Sequence, residues 1–123
     1  MAKRILIVDD SDRVRKALRA ALEAKLLGVT CTEATDGRDA INRALELNPD
    51  LIVLDLSMPV MGGLETAPHL KRLLPAVPIV MFTNFDGNRL LALARAAGIS
   101  TVVGKDSPDG LVAVIRTLIG IPI

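Results

Sequence analysis

Short, nearly unbroken apolar runs alternate along this chain with longer stretches in which apolar residues recur every three or four positions. Residues 5–8, 51–54 and 78–82 are such runs, as expected of strands covered on both faces. After the first, Val14, Leu18, Ala21, Leu22 and Leu26 keep helical spacing, and Gly28 is expected to close that helix. Residues 29–34 mix β-branched and small side chains and predict a weaker edge strand. Asp36 and Gly37 open a short helix carrying Ile41, Ala44 and Leu45, which Asn48-Pro49 stops. Pro59, Gly62 and Gly63 make a loop before a helix around residues 67–74. Asp86 is expected to cap a helix through Ala97, with Gly98 behind it, and residues 100–103 form the last strand. Ser107 as N-cap and Pro108 in the first helical position then begin a final helix over 109–118.

Five βα units in regular alternation predict an α/β domain: a doubly wound, three-layer parallel sheet of five strands with helices on both faces and right-handed crossovers. A length of 123 residues fits one domain, residues 1–123, since domains commonly run ~100–200 residues. Half of the residues are apolar and 24% charged, which excludes a disordered polyelectrolyte. Fifteen Lys and Arg against fourteen Asp and Glu leave a net charge of +1, so no charge excess favours nucleic acid or a membrane surface. Two Phe and no Tyr or Trp remove the stacking platforms of single-strand binders. The basic start is followed by only four apolar residues before Asp9, short of the ~7–15 of an export signal. No run approaches the ~20 residues of a membrane span, and a soluble, cytoplasmic protein is expected. Cys31 is the sole cysteine and is expected to be a small buried hydrophobe. His69 has no second His or Cys to share a metal and is expected to be structural.

The residues that end the strands carry the candidate chemistry. Asp9 and Asp10 follow strand one, Asp55 strand three, Thr83 strand four and Lys105 strand five. Parallel sheets bind ligands beyond the carboxyl ends of their strands, so the fold gathers all five on one rim. Three crowded carboxylates repel, and one protonates unless a cation joins them. Hard oxygen donors of this kind suit Mg²⁺, which completes its shell with water and phosphate oxygens. A carboxylate beside that cation and a lysine is placed to attack a phosphoryl group. Asp55, on a central strand, is the expected nucleophile, while the adjacent Asp9 and Asp10 suit the metal.

In these residues the sequence resembles the receiver domains of two-component response regulators. The resemblance spans essentially the whole chain and rests on Asp9-Asp10, on Asp55-Leu56-Ser57-Met58-Pro59 with Gly62-Gly63 and Glu65, on Thr83, and on Lys105. It implies a flavodoxin-like sheet in the order 2-1-3-4-5, with Asp55 as phospho-acceptor. It further implies that Asp10, Asp55 and the backbone carbonyl of Ser57 hold Mg²⁺, with Asp9 contributing through water. Lys105 then pairs with Asp55 and afterwards with the phosphoryl group, to which Thr83 donates its hydroxyl. The implied partners are a sensor histidine kinase or phosphotransfer protein, and a target protein or second copy met through helix 4, strand 5 and helix 5. Lys105-Asp106-Ser107-Pro108 looks like receivers that precede helix-turn-helix output domains.

Rival readings fit less well. A flavin carrier wants a phosphate loop after strand one, where two aspartates stand, and aromatic residues that this chain lacks. An aspartate-nucleophile phosphatase wants a second aspartate where Ser57 stands. A degenerate receiver, acting as an interaction module without phosphorylation, is the alternative, and the intact site set counts against it. The chain departs from the family pattern at three places. Val102 stands where an aromatic switch residue is usual, Asn84 where a small residue follows the threonine, and Asp106 where proline follows the lysine. The Lys105–Asp106 bond is therefore expected to be trans, since a non-proline cis bond costs ~2.5–4 kcal/mol. With Val102 too short to swing, a conformational signal is expected to run through Asn84 and Phe85 into the next helix. A bulky Phe85 is also expected to make the aspartyl phosphate long-lived, by failing to orient an attacking water.

Overall fold

A computed structural model describes residues 2–84 and 87–120 of the chain. Five strands alternate with five helices: β1 Lys3–Val8, α1 Asp12–Lys25, β2 Val29–Ala34, α2 Gly37–Leu47, β3 Leu51–Leu54, α3 Gly63–Leu73, β4 Ile79–Thr83, α4 Asn88–Ala96, β5 Thr101–Gly104 and α5 Pro108–Ile119. All strand pairings are parallel and the sheet order is β2-β1-β3-β4-β5. The flavodoxin-like arrangement expected from the sequence is the one observed.

Alternation along each strand divides the interior into two cores, because successive side chains leave opposite faces of the sheet. Ile5, Ile7, Leu51, Val53, Val80 and Phe82 face α1 and α5, where Leu18, Leu22, Leu111 and Ile115 cover them. Leu6, Val8, Ile52, Leu54, Ile79 and Met81 face α2, α3 and α4 and meet Ala40, Ala44, Leu70 and Ala94. Every residue of β3 and β4 is buried, which explains why those segments read as continuous apolar runs. Cys31 is buried on β2, and burial pushes its thiol up to about 12. His69 is exposed on α3.

Several local expectations shift by a few residues. Leu26, rather than Gly28, caps α1; Gly28 takes its positive φ of 78° in the turn beyond. At the other end of α1, Ser11 accepts the Val14 N–H through its side chain. Asp36 caps α2 as expected, accepting the Asp39 N–H, and Asn48 ends it in the left-handed region. Helix α3 begins at Gly63, before the expected start, with Pro68 inside it. Two glycines and a proline obscured that helix, yet its buried Ala67 and Leu70 hold it to the sheet regardless. Ser107 stands at the N-cap of α5 ahead of Pro108, but its hydroxyl makes no capping bond. Gly87 occupies the N-cap of α4; the expected cap at Asp86 and the roles given to Phe85 lie outside the described residues. Every described peptide bond is trans, that between Lys105 and Asp106 included.

Between β3 and α3 the chain bends tightly. The Met61 N–H donates to the Pro59 carbonyl at 2.7 Å, across Val60 at φ 69°. This is the three-residue turn of positive φ that β-branched residues rarely enter. Val60 is 88% exposed and so gains little from packing. Replacing it by glycine removes a left-handed penalty of ~1–2 kcal/mol against a glycine entropy cost of ~0.5–1 kcal/mol. Val60→Gly is therefore expected to leave stability unchanged or raise it by up to about 1.5 kcal/mol, read from urea unfolding midpoints.

Candidate functional site

Register, more than any single residue, assembles the carboxyl rim. Val8 pairs with Leu54, so Asp9 and Asp55 leave neighbouring strands at one level. The Asp55 N–H extends the ladder by donating to the Val8 carbonyl at 2.9 Å. Leu54 pairs with Met81 and Thr83 with Gly104, which sets Thr83 one step further out and brings Lys105 in next to it. The Lys105 N–H donates to the Thr83 carbonyl at 2.8 Å.

The side chains converge accordingly. Carboxylate oxygens of Asp9, Asp10 and Asp55 lie within 4.8 Å of one another; Asp9 and Asp55 are buried and Asp10 is exposed. Lys105 Nζ bridges two of them, 3.0 Å from Asp9 Oδ2 and 3.3 Å from Asp55 Oδ1. Thr83 is buried at the same rim. Ser57 follows Asp55 by two residues and is exposed on the loop. Thus Asp9, Asp10, Asp55, Thr83 and Lys105 all reach one rim, with Ser57 on the loop that leaves it. Val102 is half-buried on β5 against the core under α2–α4.

The electrostatics follow from this crowding. Burial, and then repulsion from Asp9, push the Asp55 carboxyl above its ordinary pKa, although Lys105 and the Leu56 N–H pull the other way. For Lys105 burial opposes the charge, but its hydrogen bond to Asp9 and the attraction of Asp55 and Asp9 outweigh it, and its pKa is raised. A cluster with three acids and one ammonium keeps surplus negative charge, and its donors are all hard oxygens. Such a set fits a small divalent cation.

Two supports for the site went unread in the sequence. Arg15 is a buried cation on α1, whose Nη1 donates to the Asp9 carbonyl at 2.8 Å and whose Nε meets Glu33 Oε1 at 3.0 Å. The signal was present: Arg15 sits three residues before Leu18 and seven before Leu22, on the helix stripe that faces the sheet. Gly63 is the other. A Cβ there would collide with the Asp55 carbonyl oxygen, and Met81 stands close on another side. Only a hydrogen fits where the first turn of α3 passes the back of Asp55.

The fold and the acidic rim together define a receiver-like α/β domain. The family model for the response regulator receiver domain matches residues 5–116, and the chain belongs to that family. Receiver domains of this family serve two-component signal transduction through phosphorylation and are not enzymes of the ordinary kind. The chain is 34% identical over 116 residues to the transcriptional regulatory protein LnrK of Bacillus subtilis (strain 168), covering 94% of this chain and 53% of that protein. It therefore spans about half the length of that relative. A solved two-component response regulator of the LuxR family from Aurantimonas sp. SI85-9A1 superposes with a TM-score of 0.91 at 33% identity, covering 98% of this chain and 86% of the other. Chemotaxis protein CheY4 of Vibrio cholerae superposes with a TM-score of 0.89 at 26% identity, covering 96% and 99%.

Two outcomes are expected from the site's packing and charge. Gly63→Ala gains ~1 kcal/mol of helix propensity, yet the collision with Asp55 costs more, of the ~1–3 kcal/mol typical of overpacking. Urea unfolding is expected to show a net loss. Because the folded protein holds a proton on Asp55 more tightly than the unfolded chain does, metal-free stability falls as pH rises from the ordinary carboxylate value through the raised one. Asp55→Asn removes that ionisation, so at neutral pH without divalent cations its urea midpoint is expected above that of wild type. The difference closes as pH drops below the ordinary carboxylate value.

Proposed function

We propose that this receiver is phosphorylated on Asp55 by a histidine kinase or phosphotransfer protein in a Mg²⁺-dependent reaction. The observation that carries this reading is the meeting of three carboxylates within 4.8 Å, with Lys105 Nζ 3.0 and 3.3 Å from two of them. An Asp55 oxygen attacks the phosphorus of a phosphohistidine. The P–N bond breaks, its electron pair returns to the imidazole, which takes up a proton, and the new P–O bond completes an acyl phosphate. Lys105 neutralises charge on the arriving oxygens and the Thr83 hydroxyl donates a hydrogen bond to one of them.

Asp10, Asp55 and the Ser57 carbonyl would hold Mg²⁺, with Asp9 acting through water. When bound, the ion offsets the carboxylate charge that otherwise repels a phosphoanion. The hard-oxygen donor set supports this assignment. Residues 1–123 are read as one receiver unit acting in the cytoplasm, with no direct nucleic-acid contact of its own. No helix among the described residues is long and apolar enough to cross a membrane. Output through α4, β5 and α5, to a target protein or a second copy, is supported by Leu91, Leu93 and Leu118, which stand exposed there.

With no Tyr or Trp to report binding by fluorescence, mass is the direct measurement. Incubation with acetyl phosphate or phosphoramidate is expected to add one phosphoryl group to the intact chain when Mg²⁺ is present and none when it is chelated. Asp55→Asn is expected to stay unlabelled. A wild-type chain that gains nothing in Mg²⁺ is instead a degenerate receiver, working by interaction alone.

A further inference from the structure

Arg15 is the only buried cation among the described residues, and every arm of its guanidinium is used. Nη1 donates to the Asp9 backbone carbonyl at 2.8 Å, Nε to Glu33 Oε1 at 3.0 Å, and Nη2 to Asp12 Oδ1 at 2.7 Å. One side chain therefore ties the end of β1 to β2 and to the first turn of α1. Asp9 is held from every other direction as well. Its N–H donates to the Ala34 carbonyl at 3.2 Å, its Oδ1 accepts the Ser11 N–H at 2.8 Å, and its Oδ2 takes Lys105.

The carbonyl that Arg15 grips belongs to the peptide group joining Asp9 to Asp10. That group is planar, so fixing its oxygen fixes the plane from which Asp10 departs. Asp10 is exposed while its two partner carboxylates are buried. Packing therefore places Asp9 and Asp55, whereas the backbone leading into Asp10 must direct its side chain. We propose that Arg15 is a positioning residue for divalent-cation binding: through the Asp9 carbonyl it orients Asp10 within the carboxylate cluster. The inference rests on the Mg²⁺ site of the proposed function.

Charge alone predicts the opposite sign, which makes the proposal testable. A guanidinium this close to the cluster repels a cation, so deleting it would tighten Mg²⁺ binding if electrostatics were its only influence. A positioning role predicts weakening instead, by the ~10–100-fold typical when an outer support of a metal ligand is removed.

The test is calorimetric titration of MgCl₂ into the full chain at constant ionic strength, with circular dichroism confirming folded protein. Arg15→Met is expected to weaken binding by that factor. Because it leaves Glu33 with Arg19 as its one remaining cation, the double variant Arg15→Met/Glu33→Met repeats the test without that half-compensated carboxylate. Arg15→Lys, which keeps one donor for the Asp9 carbonyl but loses the fork, is expected to recover part of the loss. Arg19 shares Glu33 at 3.4 Å without touching Asp9, so Arg19→Met is expected to bind as wild type does. Unchanged or tighter Mg²⁺ binding in a folded Arg15 variant, or an equal loss in Arg19→Met, overturns the inference while the proposed function stands. Wild-type protein that binds no Mg²⁺ removes both.

Discussion

Like charges brought together by a parallel sheet set the terms for everything else at this rim. The register of β1 against β3 leaves Asp9 and Asp55 at one level, and hydrogen bonding of the strands, rather than any attraction between the acids, keeps them there. Lys105 partly compensates by reaching both carboxylates from just beyond the end of β5. Burial withdraws water from the Asp55 carboxylate and leaves its repulsion by Asp9 less screened, and the two together, burial first, raise its pKa. The sheet can sustain the strain since its centre is so thoroughly packed. Ile52, Leu54 and Met81 are fully buried, each contributing on the order of 1.5–3 kcal/mol.

Around the acids lies a second tier of fixed backbone. Gly63 lets α3 begin directly behind Asp55, and the turn at Val60 brings the chain back in time for that start. On the opposite side Arg15 and Ser11 secure Asp9 through its carbonyl and its carboxylate. The two central acids are thereby immobilised from behind, while the rim in front stays accessible through exposed Asp10 and Ser57. A site of this kind is preorganised for charge that arrives from outside.

Conveying a change of charge at the rim to a distant surface is a separate problem from accepting it. Thr83 ends β4 and Lys105 directly follows β5, and the two are joined by the Lys105 N–H to Thr83 carbonyl bond. Val102, half-buried against the core under α2–α4, offers no long lever for such a change.

Much of this protein is written locally. Alternating apolar runs and helical stripes define five βα units, and the buried strands β3 and β4 are legible because both faces of a central parallel strand must be apolar. The identities of Asp9, Asp10, Asp55, Thr83 and Lys105 were equally plain, since each directly ends a strand or follows one. Helix boundaries were less so: α3 runs through Pro68 and starts at Gly63 because its burial outweighs local propensity. Tertiary structure alone decided how the acids are spaced, which pair Lys105 bridges, and that the Arg15 guanidinium reaches the Asp9 carbonyl. Those facts depend on register between strands far apart in sequence and on which face of α1 meets the sheet. Both are settled by packing across the whole domain, whereas local sequence dictates only which segments are there to be packed.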